Sequence, residues 1–359
     1  MLTNKKSKKN FMKAIILAGG SGKRLWPISN KSFPKQFLKF LDHESLFQKT
    51  LLRFKNFQFV DEIIVVINKS FKKMVKEQIS EINYQKKIKI LIEPDQKSTA
   101  GAILFTIKSL KDSGSIDENT KLLFLPSDHL IFPKDKFLTY IENLNKLRLD
   151  DIIIFGIRPH KIETGFGYIK IGKKRADNLD EVNSFIEKPS FEKAKEFFLS
   201  EKYLWNAGIF LFTEKNFERE IKNHSPDLYK YYEMSFEKLL KNFFSMPKIS
   251  IDYALIEKTK NILVQPLDVS FSDVGSWESI YDIMQKDENK NVLRGNVFTS
   301  DTKNSLIFAK KRLISTMGLE NIILVETKDA IFLAKRGKSQ KVKQIIQKML
   351  LQQESKKKL

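Results

Sequence analysis

Gly19-Gly20-Ser21-Gly22-Lys23-Arg24, with Pro34-Lys35-Gln36 a short way downstream, is the densest piece of chemistry in the chain. Glycines leave their backbone N–H groups open to a close anion, and Arg24 and Lys35 add full positive charge beside them. Such a loop suits a polyphosphate. It is not a Walker A loop, because Gly22-Lys23 is followed by Arg24 instead of Ser or Thr. Nor is it a dinucleotide fingerprint, since Leu25 occupies the place of the third glycine.

Two aspartates are placed to hold a divalent metal. Asp128 follows directly on an apolar run, and Asp273 lies in Phe271-Ser272-Asp273-Val274-Gly275-Ser276-Trp277. Magnesium takes one or two carboxylates and completes its shell with substrate phosphates and water. Each aspartate alone could equally cap a helix or a turn; as a pair beside the glycine loop they point to Mg2+.

Phe185-Ile186-Glu187-Lys188-Pro189 sets an acid beside a base. In an extended segment neighbouring side chains point to opposite faces. Lys188 is therefore expected to neutralise a monophosphate while Glu187 accepts hydrogen bonds from sugar hydroxyls. Asn206, in Trp205-Asn206-Ala207-Gly208-Ile209, offers a polyol both a donor and an acceptor. Gly165-Phe166-Gly167-Tyr168 combines close backbone approach with an aromatic wall. His43, His129, His160 and His224 have no metal-ligand spacing, and none is assigned catalysis.

The elements that must position these groups alternate in the first half of the chain. Apolar runs at residues 14–17, 63–67, 88–92, 122–125 and 152–157 read as buried strands with helical periods between most of them. That alternation predicts an α/β fold, Rossmann-like, with a mixed, mostly parallel sheet covered by helices. Ligands then bind at the carboxyl ends of the strands. There lie the glycine loop after Leu17, Glu93-Pro94 after Ile92, and Ser127-Asp128-His129 after Leu125-Pro126. From residue 165 to 212 short β-like runs predominate, and residues 214–221 and 228–241 read as helical. Beyond about residue 289, runs at 292–298, 305–308, 322–325 and 331–333 suit a small all-β unit. A helix over 340–352 and a lysine tail close the chain. The expected organisation is a basic disordered extension at 1–11, a catalytic domain at 12–288 and a small β domain at 289–359. Met12 could be the functional start.

The chain has 359 residues, no cysteine and a formal net charge of +21. Disulfides, thiolate metal sites and cysteine nucleophiles are excluded. The lysines are interleaved with acidic residues along the whole chain, and no nucleic-acid-recognition motif is present, so the charge is read as attraction for anionic substrates. No apolar run approaches the roughly 20 residues of a membrane span, and Lys13 interrupts the only stretch that could resemble a signal peptide. A cytoplasmic protein with neither nucleic-acid nor membrane partners is expected.

The set AIILAGGSGKRLWPIS, PKQFL, LPSDH, TGFGYI, FIEKP, WNAGIFLF, IDYALIEK and SDVGSW resembles the mannose-1-phosphate guanylyltransferases of the sugar-nucleotidyltransferase superfamily. The likeness runs in order from about residue 12 to 349. It implies that Leu17, the loop Gly19, Gly20, Ser21, Gly22, Lys23 and Arg24, Lys35, Glu93, Thr99, Ser127 and Asp128 bind GTP. It implies that Asp128 and Asp273 bind Mg2+, and that Gly167, Tyr168, Glu187, Lys188 and Asn206 line a pocket for mannose 1-phosphate. Arg24, Lys35 and Lys188 would be the catalytic cations. Where the family usually has Arg-Asn-Thr-Ala-Pro-Ala, this chain has Lys97-Ser98-Thr99-Ala100-Gly101-Ala102.

The C-terminal part resembles the family's small left-handed β-helical domain, whose edges could support a homodimer. The chain stops before the isomerase domain of bifunctional relatives, so no isomerase activity is expected. The implied reaction is direct in-line attack of mannose 1-phosphate on GTP, giving GDP-mannose and pyrophosphate, for polysaccharide biosynthesis. Two alternatives stay open: the same chemistry on another sugar 1-phosphate or nucleoside triphosphate, and a non-catalytic regulatory or nucleic-acid-binding protein on the same fold.

Overall fold

Aliphatic and β-branched runs become strands here wherever both faces of a sheet are covered. The computed structural model describes residues 11–20, 25–30, 32–175 and 178–356. Residues 1–10 of the expected extension, and Ser21, Gly22, Lys23 and Arg24 of the glycine loop, lie outside them.

Nine strands form the main sheet: β1 (Met12–Leu17), β2 (Val60–Asn68), β3 (Lys87–Glu93), β4 (Lys121–Pro126), β5 (Ile152–Ile157), β6 (Tyr168–Lys174), β7 (Asp180–Ile186), β8 (Tyr203–Thr213) and β9 (Ile262–Leu267). Their order is β3-β2-β1-β4-β8-β5-β9-β7-β6, with β8 also pairing β6. β3, β2, β1 and β4 are parallel, with Ile15 opposite Ile64 on one side and Phe124 on the other. Their carboxyl ends therefore share one edge, where Leu17 faces Pro126 and Asn68 faces Glu93. Past β4 the ladders are mixed: β8 runs antiparallel to β4 and β5, while β9 returns parallel to β5. The apolar core of this half runs from Ile15 and Ile64 through Phe124 and Phe212 to Phe243 and Ile251. The helix Ser98–Asp112 is buried without interruption from Ala100 to Leu110, which marks it as a core helix.

The helical reading of 228–241 divides into two helices, Pro226–Tyr232 and Phe236–Asn242. The break falls where Ser235 caps the second helix, its Oγ accepting from Lys238 N–H, and where Phe236 N–H donates to Asp112 Oδ2 at 2.6 Å.

Six short strands follow near the C-terminus: β10 (Val292–Arg294), β11 (Val297–Ser300), β12 (Leu306–Phe308), β13 (Ile314–Met317), β14 (Ile322–Glu326) and β15 (Ile331–Lys335). The single run expected over 292–298 is two strands in different sheets. Gly295, at φ +83°, turns the corner between them, and a Cβ there would lie 1.9 Å from Ala309 O. Val292, Leu306 and Ile323 stack in parallel register, Val297 stacks on Ile314, and Lys303 bridges Glu320. Stacked parallel rungs on successive faces are the signature of a β-helical coil; β15 folds back antiparallel on β14. The last helix is Val342–Lys356.

The chain divides into two compact units, residues 1–19, 50–127 and 131–271, and residues 20–49, 128–130 and 272–359. In this grouping residues 20–49 and 128–130 join the C-terminal region. Trp277, Tyr281, Val292, Ile323 and Phe332 share the second unit's core, and Trp277 Nε1 donates to Trp26 O at 3.0 Å. Among the described residues no helix is long and apolar enough to cross a membrane.

Candidate active site

In the second unit the site begins with Lys35, the first residue of a short 3-10 turn entered through Pro34. Its ammonium donates to Asp128 Oδ2 at 2.9 Å and to the Asp273 carbonyl at 2.5 Å. Three residues far apart in sequence thus meet at one cation. Burial acts to raise the Asp128 carboxyl, but Lys35 and then His129 more than offset it, so Asp128 is held below its ordinary value and is ionised at neutral pH. The Asp273 carboxylate turns back to accept the Gly275 N–H at 3.0 Å. A Cβ at Gly275 would stand 2.4 Å from Asp273 Oδ2, so only glycine leaves the carboxylate its place.

Val274, between them, sits at φ +48° with its side chain fully buried. A β-branched residue in the left-handed region is strained, by roughly 1–3 kcal/mol. The apolar core around Val274 and the bond from its N–H to Ser272 Oγ at 3.1 Å hold it there.

Asp128 and Asp273 are the carboxylates available to a divalent cation here. The Asp128 carboxylate is ionised and carries the Lys35 ammonium on Oδ2, which an incoming cation would have to displace; Asp273 meets Lys35 through its main-chain carbonyl, its carboxylate being turned to the Gly275 N–H. Among the described residues no group of three or more His, Asp or Glu could cage a metal. An ion held here would draw the rest of its shell from phosphates and water, as magnesium does.

In the first unit, the strand ends set a second group. The Leu17 carbonyl accepts Ser127 N–H at 3.2 Å, and Gly19 O accepts Gln96 Nε2 at 2.8 Å. Glu93 is buried, its Oε2 3.4 Å from where a Gly19 Cβ would be, and its Oε1 has no partner among the described residues. Burial, and then Asp95, push its carboxyl up to about 8, so it keeps its proton at neutral pH.

The residues at 97–101 make contacts within this chain. The Lys97 ammonium is spent on Phe244 O at 2.5 Å and Asp95 Oδ2 at 3.4 Å. A Cβ at Gly101 would stand 2.4 Å from Lys97 Cβ, so Lys97 as it lies requires a glycine one turn later. Thr99 Oγ1 accepts the Ile251 N–H at 2.8 Å, and Ser98 takes φ +63°.

A third group, also in the first unit, gathers Gly167, Glu187, Lys188 and Asn206. Asn206 N–H donates to Gly167 O at 2.8 Å, and a Cβ at Gly167 would stand 2.5 Å from Glu187 Oε2. The expected divergence of Glu187 and Lys188 to opposite faces does not occur. Lys188 sits at φ +48°, which breaks the strand alternation and brings its ammonium onto Glu187 Oε1. Tyr168 does not form the aromatic wall either: it is fully buried, its hydroxyl donating to Glu163 O at 2.9 Å. Phe166, half-buried and 5.2 Å from the Trp205 ring, is the aromatic beside Gly167.

Two residues of this group were not singled out from the sequence. Asp252 Oδ1 accepts Asn206 Nδ2 at 2.9 Å, and Glu257 Oε1 accepts Glu187 N–H at 2.9 Å. Burial first, and then Glu187, raise the Asp252 carboxyl to about 6. Both lie in IDYALIEK, and their two acidic side chains flanking a short apolar turn were the available signal.

The family described as nucleotidyl transferase matches residues 13–290. The family described as MannoseP isomerase/GMP-like beta-helix domain matches residues 295–349. The alginate biosynthesis protein AlgA of Pseudomonas syringae pv. tomato is 39% identical over 346 residues, 92% of this chain and 70% of that protein. A mannose-1-phosphate guanylyltransferase of Escherichia coli is 34% identical over 348 residues, 93% of this chain and 74% of its own length. A solved structure from Thermus thermophilus, described as a mannose-1-phosphate geranyltransferase, superposes with a TM-score of 0.84 at 24% identity. It covers 95% of this chain and 99% of that one, and shows the shared fold.

Proposed function

The chain belongs to the nucleotidyl transferase family, among the mannose-1-phosphate guanylyltransferases, and from that premise we propose that it transfers GMP from GTP to α-D-mannose 1-phosphate. The products are GDP-mannose and pyrophosphate. A phosphate oxygen of the sugar phosphate, already ionised at neutral pH, attacks the α-phosphorus in line. The new P–O bond forms as the bridge to the β-phosphate breaks, and pyrophosphate leaves with the electron pair. No protein nucleophile and no proton transfer is needed, so catalysis rests on positioning and charge neutralisation.

Lys188 is assigned to the sugar phosphate, where it offsets repulsion between two anions, with Glu187 orienting its ammonium. Asn206 and Glu187 would take the sugar hydroxyls against the backbone of Gly167. Leu17, Gly19, Glu93, Ser127 and the loop up to Arg24 are assigned to GTP, and Arg24 with Lys35 to the departing pyrophosphate. Asp128 and Asp273 would hold Mg2+, which when bound supplies positive charge to the reacting phosphates. The observation that supports this best is the meeting of Lys35, Asp128 and Asp273, from three separated stretches, at one cation.

Pyrophosphate release from a panel of nucleoside triphosphates and sugar 1-phosphates tests the reading. GTP with mannose 1-phosphate should give the highest kcat/KM. A clear preference for another pair would reassign the substrates, and silence across the panel would overturn the enzyme.

A further inference from the structure

Thr99 stands beside the strained Ser98, at the start of the helix Ser98–Asp112, and its hydroxyl is already engaged. Its Oγ1 accepts the Ile251 N–H at 2.8 Å. On either side, Lys97 Nζ donates to Phe244 O at 2.5 Å and Ala100 N–H to Ile249 O at 3.3 Å. Residues 97–100, just after Glu93, are thereby sewn to residues 244–251.

Ile251 is fully buried and opens the turn Asp252–Ile256. An N–H at the start of such a turn has no partner within it. Thr99 Oγ1 supplies one. From that turn Asp252 takes the Asn206 side chain, and Glu257, the residue after it, takes the Glu187 N–H. A single short segment therefore carries the acceptors for two sugar-phosphate residues, and Thr99 holds its first amide.

We infer that Thr99 is a positioning residue for the sugar-phosphate group and not a nucleotide ligand. It sets where Asp252 and Glu257 stand, and it couples them to the segment that follows Glu93. The inference rests on the guanylyltransferase reading for its substrates, but not for its geometry.

Thr99→Val keeps the shape and removes the acceptor; Thr99→Ser keeps the acceptor. Steady-state kinetics in both substrates and amide hydrogen exchange over residues 249–257 are measured on the full chain. Thr99→Val should raise KM for mannose 1-phosphate on the order of tenfold, leave KM for GTP within about twofold, and speed exchange over 249–257. Thr99→Ser should restore all three. A shift confined to the GTP KM, unchanged exchange, or failure of the serine variant to rescue would overturn the inference. If the wild-type protein releases no pyrophosphate from this pair, the guanylyltransferase reading fails on its own, and the exchange result still decides the role of Thr99.

Discussion

Asn206 Nδ2 donates to Asp252 Oδ1 at 2.9 Å, joining residues 46 positions apart. The bond orients the amide, whose Oδ1 turns to the Gly208 N–H at 3.0 Å. It also holds Asp252 where burial and Glu187 raise its carboxyl to about 6.

That elevation sets a pH dependence. A carboxyl raised in the folded state binds its proton more tightly there than in the unfolded chain. Its contribution is then complete below the ordinary value of 3.8 and is lost as pH rises through about 6. Asp252→Asn, which keeps the acceptor for Asn206, should be more stable than wild type at pH about 8, by up to roughly 2–3 kcal/mol, and no more stable at pH about 4. Thermal unfolding at both pH values reads the difference. An equal offset at both would remove Asp252 as the titrating group.

Gly275 leaves room for one carboxylate. Gly275→Ala places a Cβ 2.4 Å from Asp273 Oδ2 and must displace it. Turnover should fall to the level of Asp273→Asn, on the order of 10²-fold, while circular dichroism stays that of wild type. Wild-type turnover in the alanine variant would show that the carboxylate does not act from this position.

Asp128→Asn removes the charge that Lys35 neutralises and that a divalent ion would need. Pyrophosphate release should drop on the order of 10²-fold or more and lose most of its response to added magnesium. An undiminished magnesium response would exclude Asp128 as a ligand.

Lys188→Ala leaves Glu187 beside Asp252 without its cation. KM for mannose 1-phosphate should rise on the order of 10–10²-fold, with KM for GTP little changed, because a charged contact to phosphate is lost from one substrate only. A change confined to GTP would move Lys188 to the nucleotide.

Strand positions in the parallel half were legible because buried parallel strands are continuous apolar runs, and the runs at 63–67 and 122–125 lie inside β2 and β4. The antiparallel pairing of β8 with β4 and β5 was not, since an apolar run does not record the direction of its neighbour. Glu187 and Lys188 were legible as residues, but their geometry was not. Alternation assumes extended φ throughout, and Lys188 at φ +48° violates it. Ser98 and Val274 do the same beside the other two groups. None of the three is Gly, Asn or Asp, so residue type carried no warning of the left-handed backbone. Tyr168 was placed on a wall because aromatic residues serve both walls and cores, and only packing shows which.

By itself the sequence determined which side chains are the candidates for the chemistry: the glycine loop, Lys35, the two aspartates and the Glu-Lys pair are identities, and identities are local. The tertiary structure alone decided which of them meet. Lys35 lies on Asp128 and Asp273, Asp252 joins Asn206, and Thr99 is turned to Ile251. The physical reason is range. Hydrogen bonds and charge pairs act over a few ångströms, and residues so far apart along the chain come within that distance only after the sheet and its connections have formed.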